Sequence, residues 1–153
     1  MGKIITQKQA ENLKNELKGK ILVSTNGCFD ILHVGHARYL QKARSLGDKL
    51  IVCLNSDKSV KKIKGETRPV NCEADRAELL CALKCVDYVV LFEEESPRNL
   101  LEKIKPDIHA KGGDWTLETL PEADVILNGG GRVEFIDFVP NHSTTGIIEK
   151  IKK

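Results

Sequence analysis

The chain has 153 residues, the size of one domain, long enough to bury about two-thirds of its unfolded surface without disulfide or metal staples. Hydrophobic residues make up 41% and charged residues 30%, a balance that argues against disorder. With 24 Lys and Arg against 22 Asp and Glu the net charge is +2, which removes the electrostatic case for a nucleic-acid partner, and no run of about 18 apolar residues calls for a membrane span.

Residues 1–9 lack the apolar segment of a signal peptide, so a cytoplasmic location is the expectation. Thr6 and Gln9 form a capping-box pattern, and Ala10, Leu13 and Leu17 follow at helical spacing, which predicts a helix ending at Gly19. Ile21-Leu22-Val23 is a short apolar run of the kind found in buried parallel strands. A helix is expected from about Gly35 to Leu46, with Ala37, Leu40 and Ala43 inward and Gly47 as its stop. Leu50 to Leu54 predicts a second strand, followed by a polar, basic stretch from Asn55 to Asn71. A helix over about Cys72 to Lys84 leads to a strand at Tyr88 to Phe92. Ser96 and Pro97 then suggest a helix with serine as N-cap and proline in the first turn, ended by Pro106. Asp107 to Ala110 forms a fourth, short strand, and a helix from Pro121 stops at Gly129-Gly130-Gly131. Val133 to Phe138 alternates and gives a fifth strand, and a last helix runs from Thr145.

Strand and helix alternate throughout, without an internal repeat or a long linker. The fold class is therefore α/β, Rossmann-like, with a parallel five-stranded sheet and helices on both faces. Residues 1–153 form a single domain, 1–19 an N-terminal helix and 20–153 the core. Cys28, Cys53, Cys72, Cys81 and Cys85 contain no CxxC pair, which argues against both a disulfide framework and a structural zinc site.

In such sheets ligands bind beyond the carboxyl ends of the strands. The segments of interest are therefore Ser24 to His36, Asn55 to Arg68, Lys111 to Thr116 and Pro140 to Thr145. The first contains neither a dinucleotide fingerprint nor a P-loop. It does contain His33-x-Gly35-His36 directly after a strand and at the mouth of a helix. Gly35 lets a ligand approach the backbone, the helix start offers unpaired N–H groups, and two imidazoles three residues apart can aim at one point. That combination suits a polyphosphate. Two histidines alone make no metal site, and no metal ligand set is expected. In the fourth segment Ser143, Thr144 and Thr145 are ordinary caps, or hydroxyls that hold phosphate oxygens across the same cleft.

Gly27-Cys28-Phe29-Asp30-Ile31-Leu32-His33-Val34-Gly35-His36, Lys111-Gly112-Gly113-Asp114-Trp115 and Ser143-Thr144-Thr145 together resemble the cytidylyltransferase-like nucleotidyltransferases. These share the HxGH motif with class I aminoacyl-tRNA synthetases. Within them the likeness is to ADP-heptose synthases, the D-glycero-D-manno-heptose 1-phosphate adenylyltransferases. It rests further on Lys64 to Asn71, Asp75-Arg76, Val86-Asp87, Pro106-Asp107 and Ile147-Ile148. Two departures point away from glycerol phosphate and CTP: no arginine precedes Ser143, and Lys111 and Gly113 stand where Met and Asp are usual.

The resemblance implies transfer of a nucleotidyl group from ATP to a heptose 1-phosphate, giving ADP-heptose and pyrophosphate, with Mg²⁺ brought by the triphosphate. The alternatives are a CTP-dependent enzyme for a small polyol or amino-alcohol phosphate, and a non-catalytic nucleotide sensor. It implies that His33, His36 and Lys64 stabilise charge during transfer. Gly27, Cys28, Phe29, Gly35, His36, Lys111, Gly112, Gly113, Asp114, Ser143, Thr144 and Thr145 would border the nucleotide. Asp30, Arg76 and Lys61 would lie on the acceptor side, with Asp30 open to a turn-capping reading, Lys61 to a solvated face and Trp115 to core packing. A homodimer is expected, as is a separate kinase and phosphatase in a pathway to lipopolysaccharide or another surface glycan.

Overall fold

The computed structural model describes residues 1–137 and 142–153. Its strands are β1 (Lys3–Ile4), β2 (Leu22–Gly27), β3 (Lys49–Asn55), β4 (Tyr88–Phe92), β5 (Ile108–Gly112) and β6 (Arg132–Ile136). Its helices are α1 (Gln7–Glu11), α2 (Leu13–Glu16), α3 (Val34–Ser45), α4 (Asp57–Lys64), α5 (Glu73–Ala82), α6 (Arg98–Ile104), α7 (Ala123–Asn128) and α8 (Thr144–Lys152). All the described pairings are parallel, and the strands lie in the order β1-β4-β3-β2-β5-β6.

The β3 sequence explains why it reads as a continuous apolar run. Leu50, Val52 and Leu54 pack on one face against Leu40 and Ala43 of α3 and Ala77 and Leu80 of α5. Ile51 and Cys53 pack on the other against Ala10, Leu13 and the α6 residues Leu100, Leu101 and Ile104. Alternate residues thus serve opposite cores, and each fully buried Leu or Ile contributes about 1.5–3 kcal/mol. From β2 the chain builds outward through β3 to β4, then returns to the other side of β2 with β5 and β6. The reversal falls between β2 and β5, the place where parallel sheets open a ligand crevice.

The sheet has six strands where five were expected. The extra one, β1, is two exposed residues paired with Tyr88 and Val89, too short for any periodicity to show. The Thr6 capping box is present, but the first helix breaks at Asn12. The Asn12 amide side chain donates to the Lys8 carbonyl, the acceptor its own N–H would use in a continuing helix. The basic stretch holds helix α4, capped by Ser56 Oγ on the Ser59 N–H and buried only at Ser59 and Val60. Pro97, not Ser96, is the N-cap of α6, and the buried Ser96 hydroxyl has no hydrogen-bond partner among the described residues. The last helix starts one residue early, at Thr144, with Ser143 as its cap. Phe138, Pro140 and Asn141, part of the expected fifth strand and fourth segment, lie outside the described residues.

Candidate active site

A cleft of about 810 Å³ opens at the β2/β5 reversal. Its wall includes Asn26 and Gly27 ending β2 and Cys28 after it, Lys111 and Gly112 ending β5, Lys64 from α4, and the starts of α3 and α8. The two helix starts set apart in sequence therefore do face one cavity.

The first turn of α3 is closed by its own histidines. His33, the N-cap, accepts the Gly35 N–H at Nδ1 (3.1 Å), and His36 Nδ1 accepts the His33 N–H (3.3 Å). Because both Nδ1 atoms accept, the neutral rings carry their protons on Nε2, where each is a donor. The rings stack with centroids 3.8 Å apart. Burial, reinforced by His33, lowers the His36 pKa to about 4; burial and then His142 lower that of His33. At neutral pH the pair is two uncharged, backbone-oriented donors.

Two glycines make room for this. A Cβ on Gly35 would lie 2.8 Å from His33 Cε1, 2.9 Å from its Nδ1 and 3.1 Å from His142 Cβ. A Cβ on Gly27 would lie 2.8 Å from the Phe29 ring. Phe29, at φ 44° and 6% exposed, packs in the core with its ring centroid 5.2 Å from that of His36. It lines the cleft and supports His36 from the core side.

At α8, Ser143 Oγ accepts the Gly146 N–H (2.9 Å), and Thr144 Oγ1 donates to the Ile31 carbonyl (3.2 Å), tying the two helix starts together. Ser143, Thr144 and Thr145 all line the cleft. So does His142, with its ring centroid 6.4 Å from that of His33. This third imidazole was not singled out from the sequence, although its place immediately before the Ser-Thr-Thr run was the available signal.

Other expected residues have different surroundings. The Asp30 carboxylate is 1% exposed and accepts from Val70 N–H (2.8 Å), Asn71 N–H (2.8 Å) and Arg68 Nε (3.2 Å). Its lone pairs hold the 68–71 loop, so an acceptor sugar has no free carboxylate there. Arg76 is fully buried and does not line the cleft. It donates to Asn71, Cys28 and Asn55 carbonyls (2.9, 2.8 and 2.8 Å) and to Asp57 Oδ1 (2.8 Å). It therefore pins the cleft's loops to one another, with four of its five N–H donors spent on protein acceptors. Burial pushes the Cys28 thiol up, opposite to the activation a nucleophile needs. Lys61, Gly113 and Asp114 do not line the cleft. Lys64 does, and it makes no ion pair among the described residues. Trp115 is 41% exposed, outside the core, with Lys111 Nζ 5.7 Å from its ring centroid.

No group of three or more His, Cys, Asp or Glu among the described residues is placed to hold a metal ion. No helix among them is long and apolar enough to cross a membrane.

A family model described as cytidylyltransferase-like matches residues 24–150. The bifunctional protein HldE of Syntrophotalea carbinolica is 55% identical over 134 residues, covering 88% of this chain and 27% of that protein. The Campylobacter fetus HldE is 51% identical over 142 residues, covering 93% and 30%. The chain thus spans under a third of these relatives' length. Among solved structures, a lipopolysaccharide core biosynthesis protein from Thermoplasma volcanium is 33% identical with TM-score 0.65, over 79% of this chain and 98% of that one. A pantoate-β-alanine ligase from Francisella tularensis has TM-score 0.62 at 17% identity, over 99% and 77%, a likeness of fold alone.

Proposed function

The chain belongs to the cytidylyltransferase-like family, and from that premise we propose that it is a nucleotidyltransferase that joins ATP and a heptose 1-phosphate into ADP-heptose, releasing pyrophosphate. The identity to HldE proteins supports the choice of nucleotide and sugar. The observation that carries the chemistry is the reciprocal His33–His36 cap at the β2/β5 reversal.

A phosphate oxygen of the sugar 1-phosphate attacks the α-phosphorus, a P–O bond forms, and the bond to pyrophosphate breaks. The nucleophile is already anionic, so the protein needs neither a covalent intermediate nor a general base. Its work is positioning and charge stabilisation. His33 and His36 Nε2–H groups donate to oxygens on which charge grows between the α-phosphate and the leaving group. Ser143, Thr144, Thr145 and the α8 N–H groups take the β- and γ-phosphates. Lys64 and Lys111 neutralise the triphosphate from either side. The cleft's buried carboxylates, Asp30 and Glu122, are spent on protein partners and do not suit a resident metal. Mg²⁺ enters as part of the nucleotide substrate, and the steps above belong to the protein's own groups.

Residues 1–153 act as one nucleotidyltransferase unit, with kinase and phosphatase chemistry supplied from outside them and the product consumed in surface-glycan assembly. A homodimer is the expected state, which light scattering tests. The deciding experiment is a pyrophosphate-release screen crossing ATP, CTP, GTP and UTP with sugar and polyol phosphates. Turnover only with CTP and glycerol 3-phosphate would overturn the proposal, as would nucleotide binding with no release.

A further inference from the structure

Beneath the cleft runs a chain of buried polar groups that the phosphate-binding reading leaves unused. Ser24 on β2 and His109 on β5 are both 0% exposed, and Glu122, at the N-cap of α7, is 1% exposed. Ser24 Oγ lies 2.7 Å from His109 Nδ1, and His109 Nε2 lies 3.2 Å from Glu122 Oε2. The same Oε2 is 3.6 Å from Lys111 Nζ, which donates to Asn26 Oδ1 at 3.0 Å. The chain leads from the sheet's interior to the cleft wall in five residues.

Protonation assigns the roles. Burial pushes the Glu122 pKa up, but the His109 hydrogen bond and Lys111 outweigh it and hold it below the usual carboxylate range. An ionised Glu122 accepts from His109 Nε2–H, which leaves Nδ1 to accept from the Ser24 hydroxyl. Burial keeps His109 neutral. A serine, a histidine and a glutamate in this order invite a hydrolase reading. Ser24 excludes it, being fully buried and absent from the cleft wall, where no substrate carbonyl can reach its hydroxyl.

What remains is a fixed carboxylate against a lysine. Lys111 faces Glu122 from α7, the Cys28 and Cys53 thiols, His109 of its own strand, and the Trp115 ring. Burial pushes both thiols up, so they stay uncharged. Desolvation lowers the Lys111 pKa and Glu122 opposes it, the one carboxylate doing so. One of the three ammonium protons goes to Asn26, while Glu122 stands at ion-pair distance, 3.6 Å, and the remaining donor capacity is left for the cleft.

We propose that Glu122 is a positioning residue, which keeps Lys111 charged and aims its ammonium from the end of β5 at a phosphate of the bound nucleotide, with His109 and Ser24 locking the carboxylate in place. The identity of the anion rests on the nucleotidyl-transfer reading; the coupling of Glu122 to Lys111 does not.

The test is Glu122→Gln in the full chain, read two ways. The Lys111 ¹³Cε resonance is titrated by NMR in wild type and variant. Its midpoint should move down by about one pH unit or more once the facing charge is gone. The alkaline limb of kcat/KM for pyrophosphate release should move down with it, with about a tenfold loss of activity on that limb. A purely structural Glu122 would lower Tm and move neither limb nor resonance. A folded variant with the wild-type Lys111 titration overturns the proposal. If Glu122→Gln does not fold, Glu122→Asp carries the test: the charge is kept but withdrawn by one carbon. Turnover should then fall about tenfold with the alkaline limb unmoved, and wild-type turnover overturns the proposal. A wild-type chain that releases no pyrophosphate from any substrate pair refutes the transfer reading, and the Lys111 titration still decides this one.

Discussion

Gly35→Ala separates the proposed catalytic role of the α3 start from its structural role, because the two respond by very different amounts. The added methyl would sit 2.8–2.9 Å from the His33 ring and 3.1 Å from His142 Cβ, so the imidazole must leave its position over the first turn. The stability cost is the hydrogen bond from Gly35 N–H to His33 Nδ1, about 1 kcal/mol. The gain is replacement of glycine by alanine within a helix, about 0.5–1 kcal/mol. These nearly cancel. A residual of about 1 kcal/mol moves Tm by only about 2–4 °C in a domain of this size. The effect on chemistry has no such compensation. A transition-state donor that has swung away is worth as little as one deleted, about 10²–10³ in kcat. Pyrophosphate release and thermal unfolding measured on one preparation should therefore show a near-native Tm with a hundredfold loss of turnover. Wild-type kcat in the folded variant would refute the reasoning, as would a large fall in Tm with little change in turnover.

His33→Ala and His36→Ala should each cost about 10²–10³ in kcat with much smaller changes in ATP affinity, and the double variant should lose far less than the product, since both rings serve one charge. Steady-state kinetics with fluorescence or calorimetric titration of ATP checks this. Arg76→Met should destabilise the chain by about 3–5 kcal/mol in denaturant titration, because Asp57 and three loop carbonyls lose the guanidinium that holds them. The fold should also weaken in mild acid. His36 takes up its proton near 6.5 when unfolded and only near 4 when folded, so the unfolded chain binds more protons between those values. Stability is then full above pH 6.5, falls as pH drops towards 4, and His109 acts in the same direction. Urea midpoints at pH 7, 5.5 and 4.5 should decline in that order, and a flat series would contradict the pKa ordering.

Local chemistry made much of this legible in the sequence. The Thr6–Gln9 box, the Tyr88–Phe92 strand and His33-x-Gly35-His36 are signals contained within a few residues, and each has the expected place. What the sequence hid depends on partners far along the chain. Asp30 and Arg76 carry the right charge for substrate, yet Asp30 is engaged by residues about 40 positions away and Arg76 by carbonyls up to 48 away. No spacing rule reports such a commitment. Glu122 was hidden for the same reason: it acts across 13 residues on a histidine that read only as part of a short strand. Strand β1 was missed because its two residues become a strand only when Tyr88 and Val89 lie alongside.

The cleft also divides by how its groups are held, and that division bears on mechanism. His33, His36, Ser143 and Thr144 are fixed by hydrogen bonds to backbone groups of the two helix starts, and Lys111 by Asn26 and Glu122. Lys64 has no such partner among the described residues and stands at the last turn of α4, before Gly65 at φ 100°. Donors fixed before the substrate arrives need no reorganisation as charge develops, which is the condition under which electrostatic stabilisation is strongest. A lysine without a fixed position can meet the triphosphate but must be ordered by it, so its contribution falls on binding as much as on the transition state. The rigid groups and the loose one line the same cleft. Under the proposed transfer reaction, the preorganised donors would act on the phosphorus under attack and the adaptable charge of Lys64 would act on nucleotide binding.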